Sequence, residues 1–166
     1  MNIEGYITNL GKYNEGELIG KWITFPVDED ELSDILKEIG INDQYEEYFF
    51  TDWNCEVDLN LGEYVSISKV NEYAESLENW DDDLLLAACE VWGFMAVISE
   101  DPDDYILYSS ISDEYDLGYY WINESGCYNV PDDIFGRYFD YEAFGRDLNI
   151  DLDGGFSDYG YIERMH

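Results

Sequence analysis

Positive charge and histidine are what this chain of 166 residues has least of. Seven Lys and Arg stand against 40 Asp and Glu, which leaves a net charge of −33. The one histidine, His166, is the last residue, so no Ser-His-Asp or Cys-His relay is expected inside the chain. Cysteine is also scarce. Cys55, Cys89 and Cys127 are odd in number and far apart, which argues against a disulfide framework and for buried free thiols in a reducing cytoplasm. Apolar runs such as Leu84–Ala88 are too short to span a membrane. Met1–Leu10 has no basic start and no apolar run, so no signal peptide is expected. No glycine-rich phosphate loop and no zinc ligand set is present. Asn149, Asp151, Asp153 and Gly154 match the opening positions of a helix-loop-helix calcium loop, but Gly160 falls where a bidentate Glu is needed. Carboxylates lie close together everywhere, so their proximity says nothing about acid–base roles. Phosphate would be repelled, which excludes direct nucleic-acid binding. The expectation is a protein without catalytic residues, metal or cofactor.

What the chain does have is an unusual pair of properties. Strongly acidic chains are often disordered, but those are poor in aromatic and apolar residues. Here 46% of residues are hydrophobic and 17% aromatic, with 16 Tyr, so the chain should fold despite its charge. The stretch 132–158 shows the combination best: Asp140, Glu142 and Asp147 sit among Tyr138, Phe139, Tyr141 and Phe144. Rings of this number want burial and carboxylates want water. Tyr138, Tyr141 and Phe144 are therefore expected to pack in a C-terminal domain and to serve as dimer contacts, with ordinary packing inside one chain as the competing reading.

The order of elements predicts an α+β fold. Asn2–Leu10 and Glu17–Phe25 read as strands around a hairpin-like turn at 11–16, and Pro26 stops the second. Acids at 28–31 suit the first turn of a helix carrying Leu32, Ile35, Leu36 and Ile39 on one stripe. Tyr48–Trp53 reads as a strand. Ser66 or Ser68 can cap a helix bearing Val70, Tyr73, Ala74 and Leu77, and Asp81–Asp83 opens another that ends before Gly93. Phe94–Ser99 is open between helix and strand. Tyr105–Ile111 and Leu117–Ile122 read as strands. Pro131 suits the start of a helix toward Tyr138, and Asp140–Leu148 suits another. Gly154–Gly155 is expected as a turn before a last strand, Phe156–Ile162.

Between Lys69 and Arg137 there are 17 acids and no base. Helices usually interleave Lys with Glu, because like charges three or four apart repel by roughly 0.2–0.5 kcal/mol per pair. A solvated face does not require every base to be excluded over such a length, so a functional acidic surface is the favoured reading. Its expected members are Glu72, Glu75, Glu78, Asp81, Asp82, Asp83, Glu100, Asp101, Asp103, Asp104, Asp113, Glu114, Asp116, Asp132 and Asp133. B-DNA carries one charge per about 1.7 Å of axis, so two such chains match about 110 Å of duplex. Two compact globules would reach only about 80 Å. Good imitation therefore asks for an elongated body.

Several ordered segments are familiar: Thr8–Trp22, Tyr45–Asp52, Leu61–Glu78, Asp116–Trp121, Tyr138–Leu148 and Gly154–Ile162. Together they resemble the ArdA antirestriction proteins over nearly the whole chain, most closely members carried by conjugative transposons of Gram-positive bacteria. The resemblance implies an elongated homodimer of three small domains. With the composition shifts, it places the breaks near Leu61–Gly62 and Pro102–Asp103: an N-terminal α+β domain (1–61), a central helical domain (62–103) and a C-terminal α+β domain (104–166) that dimerises. It further implies an acidic mimic of bent B-form DNA that occupies the groove of type I restriction-modification enzymes and blocks both cleavage and methylation. An acidic module for another basic DNA-binding protein is the alternative, and a hydrolase built on paired carboxylates is a distant third.

Overall fold

The structure, a computed structural model, describes residues 1–129 and 135–165. Pro131, Asp132, Asp133 and His166 lie outside the described residues. The chain folds as two compact units, Met1–Trp80 and a second beginning at Asp81. The breaks expected near Leu61–Gly62 and Pro102–Asp103 fall inside these units. Helices and strands mix in both, so the α+β class holds.

The first unit is built on a three-stranded antiparallel sheet, order β2-β1-β3, from β1 (Ile3–Asn9), β2 (Gly20–Phe25) and β3 (Tyr48–Asn54). Alternation in β1 decides its faces. Ile3 and Ile7 are fully buried, and beside them Ile23, Phe25 and Phe50 make the core. Phe25, Phe50 and Trp53 stack there with ring centroids 4.5 to 6.0 Å apart. In place of a simple turn, the β1–β2 connection holds a short helix, α1 (Leu10–Asn14). Buried Asn9 causes it: its Oδ1 accepts the Lys12 N–H at 3.0 Å while its Nδ2 donates to the Ile39 carbonyl. β2 ends where expected, before Pro26, whose preceding peptide bond is cis. Helix α2 (Glu29–Glu38) is capped by Asp28, with Glu29, Asp30 and Glu31 in its first turn. Helix α3 (Ile67–Leu77) is capped by Ser66 and buries Val70, Tyr73, Ala74 and Leu77. The Asn71 side chain fixes it to the sheet through two bonds to the Val27 backbone, 2.8 and 2.9 Å long.

In the second unit a sheet of order β4-β6-β5 lies between helices. Its strands are β4 (Tyr105–Tyr108), β5 (Gly154–Ser157) and β6 (Gly160–Arg164). Asp81 caps α4 (Asp82–Trp92), and a turn of helix, α5 (Phe94–Val97), follows Gly93. Tyr105, Ile162 and Arg164 share the face toward α4, where Arg164 and Tyr105 meet Trp92. Tyr108 and Tyr161 share the opposite face, which covers a core of Ile111, Leu117 and Tyr161 with α6 (Glu114–Asn123) and α8 (Tyr141–Asp151). A turn of helix, α7 (Phe135–Tyr138), precedes α8.

Two expectations are corrected here. Leu117–Ile122 is helix, not strand. The β-prone run Tyr119–Tyr120–Trp121–Ile122 is overridden because Asp113 accepts the Asp116 N–H and starts a helix, and Leu117, Gly118 and Ile122 then share its buried side. Gly154–Gly155 is not a turn. It opens β5, which pairs antiparallel with β6, and the reversal falls at Asp158–Tyr159.

Candidate functional site

The described acids of the expected surface divide between the two units. In the first, Glu72, Glu75 and Glu78 are exposed along and just past α3. The row is not wholly unanswered, since Lys69 pairs with Glu72 at 2.8 Å and lies over the Tyr73 ring. Glu75 and Glu78 have no ion-pair partner among the described residues. In the second unit, Asp81, Asp82, Asp83, Glu100, Asp101, Asp103 and Asp104 are exposed, while Glu114 and Asp116 are half-buried near exposed Asp113. Asp132 and Asp133 lie outside the described residues.

Several of these carboxylates have local tasks. Asp81 accepts the N–H groups of Asp83 and Leu84, Asp101 that of Asp103, and Asp113 that of Asp116. Asp116 accepts from the backbone and hydroxyl of Ser112. Such caps stabilise helix starts by about 1 kcal/mol each and still leave one oxygen facing water. Asp83, Asp103 and Asp104 carry no such bond among the described residues, so their charge faces solvent alone. Capping explains why acids recur at helix starts. It does not explain the missing bases. Each lysine elsewhere has an acid: Lys12 with Glu15 and Glu17, Lys21 with Glu38, Lys37 with Asp34.

Cys55 lines a shallow hollow of about 380 Å³, and burial pushes its thiol up, away from the nucleophilic thiolate. Asn149 and Asp151 belong to the last turn of α8, and Asp153 pairs with Arg164, so they do not wrap a cation loop. Among the described residues no group of three His, Cys, Asp or Glu could hold a metal ion, and no helix is long and apolar enough to cross a membrane.

With the surface described, its relationship to known proteins can be stated. The model of the antirestriction protein family ArdA matches residues 5–163. The chain belongs to the ArdA family. No curated protein sequence matches it. Membership makes this an antirestriction protein and accounts for motifs that no catalytic scheme uses.

Two features of this ArdA protein were not legible beforehand. One is a run of rings over α6 and α8. Tyr115 and Tyr119 stack, and both meet Tyr141 at 5.5 and 5.3 Å. Phe139 touches Tyr141 and Phe144, and Tyr128 touches Phe144. Tyr141 and Phe144 thus pack in the second unit. Tyr138 does not: it is 84% exposed.

The other is a buried acid. Glu163 faces the α6–α8 side of the sheet beside Tyr108 and Tyr161. Burial raises its pKa, against a weak hydrogen bond from the Tyr108 hydroxyl. Burial and the charge of Glu163 push Tyr108 and Tyr161 up to about 12. A carboxyl whose pKa rises on folding contributes stability below the ordinary carboxylate range and loses it as pH climbs through the raised value. Glu163→Gln should therefore raise the melting temperature at neutral pH and converge with the parent protein near pH 4. Melting curves across pH 4 to 7 that stay parallel would contradict this.

Proposed function

We propose that this ArdA protein blocks type I restriction-modification enzymes by presenting carboxylates where the enzyme expects DNA phosphates, so that both cleavage and modification stop. The supporting observation is the base-free span between Lys69 and Arg137, whose described surface acids stand mostly exposed, several with no partner but water. The charge works collectively, because it is spread over many exposed acids rather than concentrated in one. An elongated homodimer of three small domains, in the cytoplasm of a cell receiving a mobile element, belongs to the same proposal, as does the lack of any catalytic activity. The dimer is supported by the ring cluster of α6 and α8, which leaves Tyr115, Tyr119, Tyr128 and Tyr138 between 41% and 84% exposed. Aromatic area of this kind on a soluble protein marks an interface.

Purified protein should compete with duplex DNA for a type I methyltransferase. Its hold should weaken steeply as salt is raised through about 0.15 M, where screening reaches about 8 Å. Neutralising several acids together should erode competition gradually, whereas loss of all inhibition through one Asp→Asn change would point to an enzyme. In the same preparation light scattering should give twice the chain mass, and Tyr138→Asp should return it to one. Absence of competition at low salt would remove the proposal, and recovery of only nucleoid proteins from a lysate would favour another basic partner.

A further inference from the structure

The first unit's sheet is covered by its core on one side only. On the other side two cross-strand rows lie open. In one row Thr24, Glu4 and Asn54 stand opposite one another across β2, β1 and β3. The Glu4 carboxylate is held there at both ends, accepting the Thr24 hydroxyl at 3.4 Å and the Asn54 amide at 2.6 Å. In the next row Trp22, Tyr6 and Asp52 stand opposite one another. Trp22 and Tyr6 meet edge to face at 5.4 Å, yet Trp22 remains 45% exposed. The only base on the three strands, Lys21, faces the other way and pairs with Glu38. This face therefore combines a fixed carboxylate, an open aromatic pair in the next row and a second carboxylate beside Tyr6 on the side away from Trp22.

We propose that this sheet face receives an arginine side chain from the basic partner of the protein. The guanidinium would lie against the Trp22 ring and donate to Glu4, with Asp52 adding negative charge on the far side of Tyr6. Three properties favour arginine over lysine. Its planar cation stacks on an aromatic face, its fork of donors can engage a carboxylate while the plane stays on the ring, and it loses less hydration on docking. The occupant must be cationic, because the face holds two acids and the chain carries a net charge of −33; a second copy of the same chain would bring repulsion. The inference rests on the proposed inhibition of a DNA-binding enzyme, and it deepens that reading by adding a shape-specific contact to a collective field. Diffuse charge explains attraction, but an ordered aromatic–carboxylate pair gives register.

The test uses the full-length protein titrated with hexa-arginine and, separately, hexalysine, followed by the indole N–H resonances in NMR. The Trp22 indole should shift with the arginine peptide and far less with the lysine peptide. Trp22→Ala should weaken arginine-peptide binding about fivefold while hardly changing lysine-peptide binding. Because Trp22 is half-exposed, this variant should keep its fold, and Glu4→Gln gives an independent second variant expected to show the same selectivity loss. Equal binding of the two peptides, or a Trp22 resonance that stays still, overturns the inference. So does a change of mass in Trp22→Ala by light scattering, which would mean that a second copy covers this face. Competition with DNA for a type I methyltransferase separates the two levels. Intact competition without arginine selectivity sinks the inference alone, and arginine selectivity without competition sinks the inhibitory reading alone.

Discussion

Replacing Gly145 by alanine should break the second unit apart. A methyl group there would stand 1.7 Å from the Glu114 carbonyl oxygen and 2.9 Å from the Gly118 nitrogen. Gly118 faces the same gap from α6, and a methyl on it would meet the Tyr141 carbonyl oxygen at 2.0 Å. These are backbone atoms, so no side chain can swing aside, and the helices must separate. Alanine improves helix propensity by about 1 kcal/mol, but forcing packed backbones apart costs more, about 3 kcal/mol or above. For a unit of this size that corresponds to a fall of roughly 15 °C in Tm. Near-UV circular dichroism should collapse with it, because the rings of Tyr115, Tyr119 and Tyr141 ride on these two helices. Gly118→Ala should do the same, and the double variant should cost less than the two separately, since one opened gap serves both methyl groups. Gly62→Ala is the control: nothing lies within 4 Å of the added carbon, and its Tm should hardly move. A Gly145→Ala protein that melts with the parent would show that the helices do not meet at this pair.

Arg164→Ala should destabilise the second unit by about 1–3 kcal/mol, mostly through lost packing on the two rings. Arg164 lies over the rings of Trp92 and Tyr105, 4.6 and 5.3 Å from their centroids. Its Nε is 3.4 Å from Glu100 Oε2, too oblique for a hydrogen bond, and Nη1 is 3.9 Å from Asp153. The Tyr105 hydroxyl donates to the same Glu100 carboxylate. Burial and that carboxylate raise the Tyr105 pKa, with Arg164 opposing them. Removing the guanidinium takes the cation from beside Glu100 and Asp153, and it also removes the packing of the arginine side chain on Trp92. Lysine should restore part of the loss, because it keeps the charge but not the planar stacking. Urea unfolding read by hydrogen exchange at the β4 and β6 amides tests this. Protection unchanged from the parent protein would reduce Arg164 to a surface charge.

The two substitutions show how differently the parts of this molecule announce themselves. Asp28, Ser66, Asp81 and Asp140 could be recognised as helix starts from the sequence, because a cap and the N–H groups that donate to it lie within three residues. Pro26 ended β2 for an equally local reason. Leu117–Ile122 misled because aromatic and β-branched residues fit a strand until a neighbour gives them something helical to pack on. The motif glycines 118 and 145 are unremarkable as letters, and their meaning lies in each other. The same holds for Glu4, Tyr6 and Trp22: alternation put Glu4 and Tyr6 on one face of β1, but only the register of three strands set Trp22 and Asp52 beside them.

By itself the sequence determined the sign and amount of charge, the family and the starts of α2, α3, α4 and α8. All of these depend on composition or on residues within a turn of one another. The tertiary structure alone decided which strands pair, which acids are occupied as caps and which face water, how closely α6 approaches α8, and which aromatic rings stay uncovered. Those depend on residues tens of positions apart, whose meeting is fixed only when the whole core excludes water at once.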